Sequence, residues 1–293
     1  MMARQTTPPT IGLALSGGAA RGFAHIGILA AFERAGVRPD RIAGTSMGAF
    51  VGAVYAAGIP TRIVREHVYE TFAGPTSAMG RLFDPGKGGR KLLKWSFQNW
   101  APFDALAVVE RFCPQPFPRD FADLDVPLAI TAVDYYSGEV VVFEDGPLLE
   151  AIACSIAFPV GFQPVSWRDR IYIDGGAGNP LPIDEAARDV DLLVASDVVL
   201  LPEGAPPAVP GPLEALNGAT QILMQAVAAE KALRHPPSLH LKPKVNDYSI
   251  FDFLKVHEIV AAGDIEGRRL EPWFDEVGAR RTVKVNAAPG RTP

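Results

Sequence analysis

Gly44-Thr45-Ser46-Met47-Gly48 places a serine between two glycines in the G-x-S-x-G spacing of a nucleophile turn. A short apolar run leads into it, and residues 49–57 read as helix, so Ser46 is expected on a strand-to-helix turn. On so sharp a turn a Cβ at position 44 or 48 would collide with the neighbouring strand or helix. The start of the helix brings free N–H groups and a positive dipole end near charge developing on an acyl group. A second group, Ser16-Gly17-Gly18-Ala19-Ala20-Arg21-Gly22, follows the apolar run Ile11–Leu15 and precedes helical spacing over residues 23–35. Such a glycine loop presents successive backbone N–H groups to an anion.

Three readings of that loop compete. A dinucleotide site needs G-x-G-x-x-G and an acid about 20 residues on, for which Asp40 is loosely placed. The glycine spacing is wrong for it, however, and the next strand ends in the serine turn. In the second reading, N–H groups around Gly18 and Ala19 face an acyl oxygen while Ser46 attacks the carbon, each donor contributing on the order of 10²- to 10³-fold in rate. The third is a plain helix-entry turn.

A serine nucleophile needs a base. The five histidines, His25, His67, His235, His240 and His257, do not fall in loops immediately after strands. His25, His67 and His257 lie within helical patterns, where satisfied or solvated roles are common. Asp174 is the better partner: it ends the run Ile171-Tyr172-Ile173 and is followed by Gly175-Gly176. Ligands in open α/β sheets bind outside the carboxyl ends of strands, and the two glycines would let backbone pass close beneath the serine. Asp before Gly is also an ordinary turn former.

The elements that must position these groups can be read along the chain. Helical spacing is expected over 61–72, 103–112, 148–157, 213–233 and about 251–270. Strands are expected over 127–133 and 139–143, joined by a turn at 134–138, within 191–201, and at 171–173 after a tight hairpin at 166–170. Residues 74–89 are rich in Gly, Pro and Ser and read as a mobile surface loop. The basic, aromatic stretch 90–100 reads either as an interfacial helix touching acidic lipid or as a helix packing Leu92, Leu93, Trp95 and Phe97 on the body. Residues 42–60 carry no charge, but their four glycines fit a helix buried against a sheet better than a membrane span. The ridge Gly48, Gly52, Ala56 would let that helix approach other backbone closely.

The 293 residues are 48% hydrophobic, ample for one buried core, and the net charge of −5 comes without a basic stripe, against nucleic acid as a partner. Two cysteines, Cys113 and Cys154, offer no disulfide framework and fit a reduced, intracellular setting. Residues 1–10 lack the apolar core of a secretory signal, so a cytoplasmic location, with possible peripheral contact at a membrane surface, is expected. No metal-ligand spacing or cofactor motif stands out, and no metal or cofactor is expected.

Taken in order, residues 13–27 (LALSGGAARGFAHIG), Gly44-Thr45-Ser46-Met47-Gly48, and Asp174-Gly175-Gly176 with Asn179-Pro180 resemble the patatin-like phospholipase family, most closely its small bacterial members. The resemblance covers about residues 11–200, and Asp247-Tyr248-Ser249 with Asp252-Phe253 is similar to a familial tail motif. It implies a three-layer α/β/α sandwich with a mostly parallel central sheet. It also implies a Ser46–Asp174 dyad without histidine, an oxyanion hole from the backbone of Gly17, Gly18 and Ala19, and hydrolysis of acyl esters of lipids. Arg21 and Gly22 would support the oxyanion loop, Arg21 by bonding nearby carbonyls, with attraction of a lipid phosphate as its other reading. Ser16 and Ala19 depart from the usual run of glycines, keeping the N–H donors but narrowing the room above them.

The expected organisation is a tail to residue 10, a catalytic domain over 11–201, a Pro-rich connection at 202–212, C-terminal helices over 213–275 on the same domain, and a tail over 276–293. The expected activity is a serine lipid acyl hydrolase acting on a lipid or small acyl ester through an acyl-enzyme. A lipid-binding or regulatory adaptor with vestigial catalysis, and an acyltransferase using the same dyad, are the alternatives.

Overall fold

Bulky and small side chains alternate along the central strands, and that alternation decides how the sheet is covered. The structure, a computed structural model, describes residues 8–73, 103–159, 161–201 and 209–278. The expectations for residues 1–7, 74–89, 90–100, 202–208 and 279–293 lie outside the described residues. In chain order the elements are β1 (Ile11–Leu15), α1 (Ala24–Ala35), β2 (Arg41–Thr45), α2 (Met47–Ala56), α3 (Thr61–Phe72), α4 (Ala105–Phe112), β3 (Leu128–Asp134), β4 (Val140–Phe143), α5 (Leu148–Ile156), β5 (Val165–Trp167), β6 (Arg170–Asp174), α6 (Ile183–Ala186), β7 (Leu192–Ser196), α7 (Pro212–Arg234), β8 (Leu239–Leu241), α8 (Val256–Gly267) and α9 (Leu270–Glu276).

The sheet runs β5-β6-β3-β2-β1-β7-β8, with β4 also paired to β3. It is parallel from β3 through β2, β1 and β7 to β8, and antiparallel where β3 meets β4 and β6 and where β5 meets β6. All of β1 and β3 is buried, as parallel strands covered on both faces must be. On one face Leu13, Leu15, Ile42 and Ile130 pack in the large core with α1 to α5, α8 and α9. On the other, Ala14, Ala43, Ala129 and Ala195 meet Leu181, Ile183 and Ala186 around α6 and Ala228 of α7. The result is the expected three-layer α/β/α sandwich, with a mixed, mostly parallel sheet and one face thin enough for α6 to rest on Gly12, where a Cβ would lie 1.9 Å from Ala186 O.

Strand register explains how distant residues meet. On β3, Ile130 to Val133 pair with β4, while Leu128 to Thr131 pair with β2 and Ala132 to Asp134 with β6. Both overlaps with β4 force β2 and β6 onto the opposite edge of β3. There they run toward each other and stop on consecutive rungs, Thr45 opposite Thr131 and Asp174 opposite Ala132. The sequence placed Asp174 at the carboxyl edge of a parallel sheet; in the structure β6 is antiparallel, and Asp174 reaches that region because β6 abuts the end of β2.

Two differences concern the C-terminal part. The single helix read over 251–270 is a 3-10 turn at Phe253–Lys255 followed by α8 and α9. The break has a local cause: Pro272 has no N–H and fits the first turn of α9, where no intrahelical donor is needed. Three-residue β8, beside β7, gave no periodic signal in the sequence. Helix α8 crosses α1 backbone to backbone: a Cβ at Gly263 would lie 1.9 Å from Ala24 O, and one at Gly27 2.2 Å from Asp264 N. Arg65 of α3 clamps the crossing with two 2.7 Å bonds to Asp264.

Candidate active site

Ser46 stands between β2 and α2 at φ 54° and ψ −122°, a conformation that non-glycine residues adopt only where their surroundings enforce it. The enforcement is visible. A Cβ at Gly44 would lie 2.6 Å from Gly48 O, and one at Gly48 2.3 Å from Leu15 O, so both flanks must be glycine. The Ser46 N–H donates to Ser155 Oγ (2.8 Å), a buried hydroxyl on α5. Thr45 Oγ1 donates to Asn179 O (2.7 Å) and so accepts from Thr131 Oγ1 (2.7 Å), tying the elbow to the segment after Asp174. That segment is fixed in turn by Asn179 Nδ2 donating to Asp184 Oδ1 (3.0 Å), and Asp184 pairs with Lys231 of α7.

The Ser46 hydroxyl donates to Asp174 Oδ2 at 2.6 Å, and Asp174 Oδ1 accepts from Gly176 N at 2.7 Å. Asp174 is only 4% exposed. Burial pushes its carboxyl up to about 6, against the two hydrogen bonds, which favour the charged form. A carboxylate so placed is a stronger base than a solvated one, and it holds the hydroxyl proton already shared.

The glycine loop turns at Gly18 (φ 155°) and Ala19 (φ 47°). Ser16 anchors it: His25 Nε2 donates to Ser16 O (2.9 Å), Val198 N donates to Ser16 Oγ (2.8 Å), and Ser16 Oγ donates to Gly17 O (3.0 Å). Ala20 N donates to Ile250 O (3.1 Å) and Arg21 N to Gly18 O (3.1 Å). Among the described residues no protein acceptor takes the N–H of Gly18 or Ala19, and both residues line the cleft that holds Ser46 and Asp174. Gly17 is different: its N–H donates to Pro180 O (2.9 Å) and is not available to a ligand, which corrects its expected place among the oxyanion donors.

Arg21 is 6% exposed and donates through Nε to the carbonyl of Tyr248 (2.6 Å) and through a terminal nitrogen to Gln221 Oε1 (3.2 Å). It therefore couples the loop to α7 and to the segment after β8. Gly22 gives room to Met47, whose Cγ would lie 2.5 Å from a Cβ there. Gly175 lets the chain pass close to the backbone of β3, where a Cβ would meet Thr131 O at 2.3 Å, and Gly176 gives room to Met224, whose Cε would lie 2.8 Å from a Cβ there.

The histidines lie away from Ser46 and Asp174. Nε2 of His25 faces a carbonyl and must carry the ring proton, so Nδ1 accepts from Ser196 Oγ (2.9 Å), and burial lowers its pKa to about 4. His67 Nε2 lies 2.7 Å from Phe112 O, and the His257 ring lies 3.8 Å from that of Tyr69. No described histidine lines either cavity that reaches Ser46. Asp40 accepts from Ile11 N (2.8 Å) at the start of β1, far from the loop at its other end, which removes the dinucleotide reading. Both cysteines are buried free thiols, pushed up to about 12 by desolvation. Among the described residues no group of three or more His, Cys, Asp or Glu is placed to hold a metal ion, and no helix is long and apolar enough to cross a membrane.

Ser155, Ile250 and Phe158 at this site carry no sequence signal. They are apolar-helix or loop residues by pattern, brought in by long-range packing. Two cavities open on Ser46. One, about 290 Å³, also contains Asp174, Gly18, Ala19, Arg21 and residues of α7. The other, about 350 Å³, contains no Asp174 and is lined mainly by phenylalanines.

Comparison with known proteins follows the same outline. Residues 13–187 match the model of the patatin-like phospholipase family. An uncharacterized NTE family protein of Mycobacterium bovis is 33% identical over 193 residues, 66% of this chain and 50% of that protein. Lysophospholipase nte1 of Neurospora crassa is 24% identical over 323 residues, 99% of this chain and 21% of that protein. The structure of human GIVD cytosolic phospholipase A2 shares the fold at a TM-score of 0.54 and 13% identity, covering 96% of this chain and 61% of that one. The chain spans about half the length of the mycobacterial relative it matches.

Proposed function

The chain belongs to the patatin-like phospholipase family, and on that premise we propose that it is a serine lipid acyl hydrolase of the phospholipase A, lysophospholipase or carboxylesterase type. The observation that carries the reading is the 2.6 Å bond from Ser46 Oγ to a buried carboxylate, with no histidine in reach. Ser46 attacks the ester carbonyl while Asp174 takes its proton. The carbonyl oxygen, now negative, is held by the N–H groups of Gly18 and Ala19 and by the N-terminal dipole of α1 and the turn before it. Collapse expels the alcohol, to which Asp174 returns the proton. Water, deprotonated by the same carboxylate, then attacks the acyl-Ser46 ester, and the proton passes back to Ser46 as the fatty acid leaves.

In this reading the catalytic unit spans residues 11–275, because α7 and Ile250 wall the cleft and α8 braces α1. The substrate is a lipid or small acyl ester, met in the cytoplasm or at a membrane surface that the protein touches peripherally. The test is hydrolysis of a short-chain nitrophenyl ester by wild type, Ser46→Ala and Asp174→Asn, with labelling by a fluorophosphonate probe. Losses of on the order of 10³-fold or more are expected in both variants, with the label on Ser46 alone. Turnover unchanged in Ser46→Ala ends the proposal, and a native protein that refuses the probe is an adaptor.

A further inference from the structure

The two cavities that meet at Ser46 differ in one respect that chemistry can use: Asp174 borders only one of them. Ala19, Ser46, Phe158 and Ile250 form the neck they share. In the mechanism above the carboxylate touches two species besides Ser46, the departing alcohol oxygen and the incoming water. Both must therefore occupy the cavity that contains Asp174. The acyl chain never exchanges a proton and has to extend the other way from the carbonyl carbon.

The composition of the walls agrees. Among the described residues, Ser46 is the one polar side chain that the second chamber presents; Phe50, Phe72, Phe112, Phe162 and Val108 line it. The Asp174 side presents Arg21, Asn217, Thr220 and Gln221 among its apolar residues. We infer that the phenylalanine chamber is the acyl-chain site and that the cleft beside Asp174 and α7 takes the alcohol of the ester. This rests on the Ser46–Asp174 hydrolase reading. The chamber, of about 350 Å³, is finite, so methylenes beyond its capacity gain no further burial.

The experiment is kcat/KM for nitrophenyl esters from acetate to hexadecanoate, on wild type and on two variants of Val108, a half-buried residue of α4 at the chamber wall. For wild type, kcat/KM rises about fourfold per methylene, the equivalent of ~0.8 kcal/mol, and stops rising at a chain length within this series. Val108→Phe lowers the decanoate-to-butyrate ratio at least tenfold, and Val108→Ala moves the break to longer chains. Thr220→Phe, in the other cleft, leaves that ratio alone and instead lowers the ratio of decanoyl glycerophosphocholine to decanoyl nitrophenyl ester. A chain-length profile that Val108 does not move, or that Thr220→Phe shortens, overturns the assignment. Ser46→Ala run in parallel separates the failures: turnover surviving it sinks the hydrolase reading itself, whereas Ser46-dependent turnover with an unmoved profile sinks only the chamber.

Discussion

Asp174 is held at about 6 by burial, and two consequences follow for this one carboxyl. Protonated, it cannot accept from Ser46, so kcat/KM for a neutral ester falls on the acid side of pH 6 with a slope approaching tenfold per pH unit, measurable from a pH–rate profile. The folded protein also binds this proton more tightly than the unfolded chain, so the group's contribution to stability declines as pH rises from about 4 to about 6 and is least favourable above that. His25 has the opposite sign. Its folded value of about 4 lies below the unfolded 6.5, and its contribution is lost as pH falls through that window. The two slopes oppose each other in wild type. Asp174→Asn removes one of them, keeps an acceptor for Gly176 and a donor for Ser46, and relieves the cost of a buried charge, on the order of a few kcal/mol. The variant is expected to melt higher than wild type at pH 7, be inactive, and lose stability between pH 6.5 and 4. Ser155→Ala leaves the Ser46 N–H unpaired in a buried turn, a loss of about 1–3 kcal/mol, seen as a lower urea midpoint together with slower fluorophosphonate labelling.

At the scale of elements, the site is a matter of register and of close crossings. A one-residue deletion within β6 would turn Asp174 to the other face of the sheet and separate it from Ser46, whereas changes at the Arg168-Asp169 tip, where both φ values are positive, leave the pairing alone. The α1–α8 crossing tolerates no Cβ at Gly263. Gly263→Ala should lower stability by about 1–3 kcal/mol in urea unfolding, while Gly161→Ala, with nothing within 4 Å of the new atom, should stay within about 0.5 kcal/mol. These features also mark the limit of what the sequence discloses. Ser46, Asp174 and the loop at Gly18 were legible because each is announced by its immediate neighbours. Gly17 was assigned a donor role that Pro180 already occupies, and the identity of Arg21's partners Tyr248 and Gln221 lay beyond local reasoning, because both depend on groups remote in the chain. The break at Pro272 was open to local reasoning; β8, at three residues, was not.

Across the whole molecule, the region matching the family, residues 13–187, contains Ser46, Asp174 and the Gly18–Ala19 loop, but it does not contain α7 or Ile250, which wall the cleft. Arg21 spans that division. Arg21→Met strips Tyr248 O and Gln221 of a charged donor, and the expected result is a loss of about 1–3 kcal/mol, with KM for a bulky-alcohol ester rising more than KM for a nitrophenyl ester. The shared neck over Ser46 imposes an order on traffic as well. In the proposed mechanism water reaches an acylated Ser46 only after the alcohol has vacated the Asp174 side, so the alcohol departs first and the fatty acid last. Free fatty acid should then inhibit competitively against ester and the alcohol noncompetitively, and the rate of turnover should come to depend on how readily a greasy product leaves the phenylalanine chamber through the neck beside Ser46.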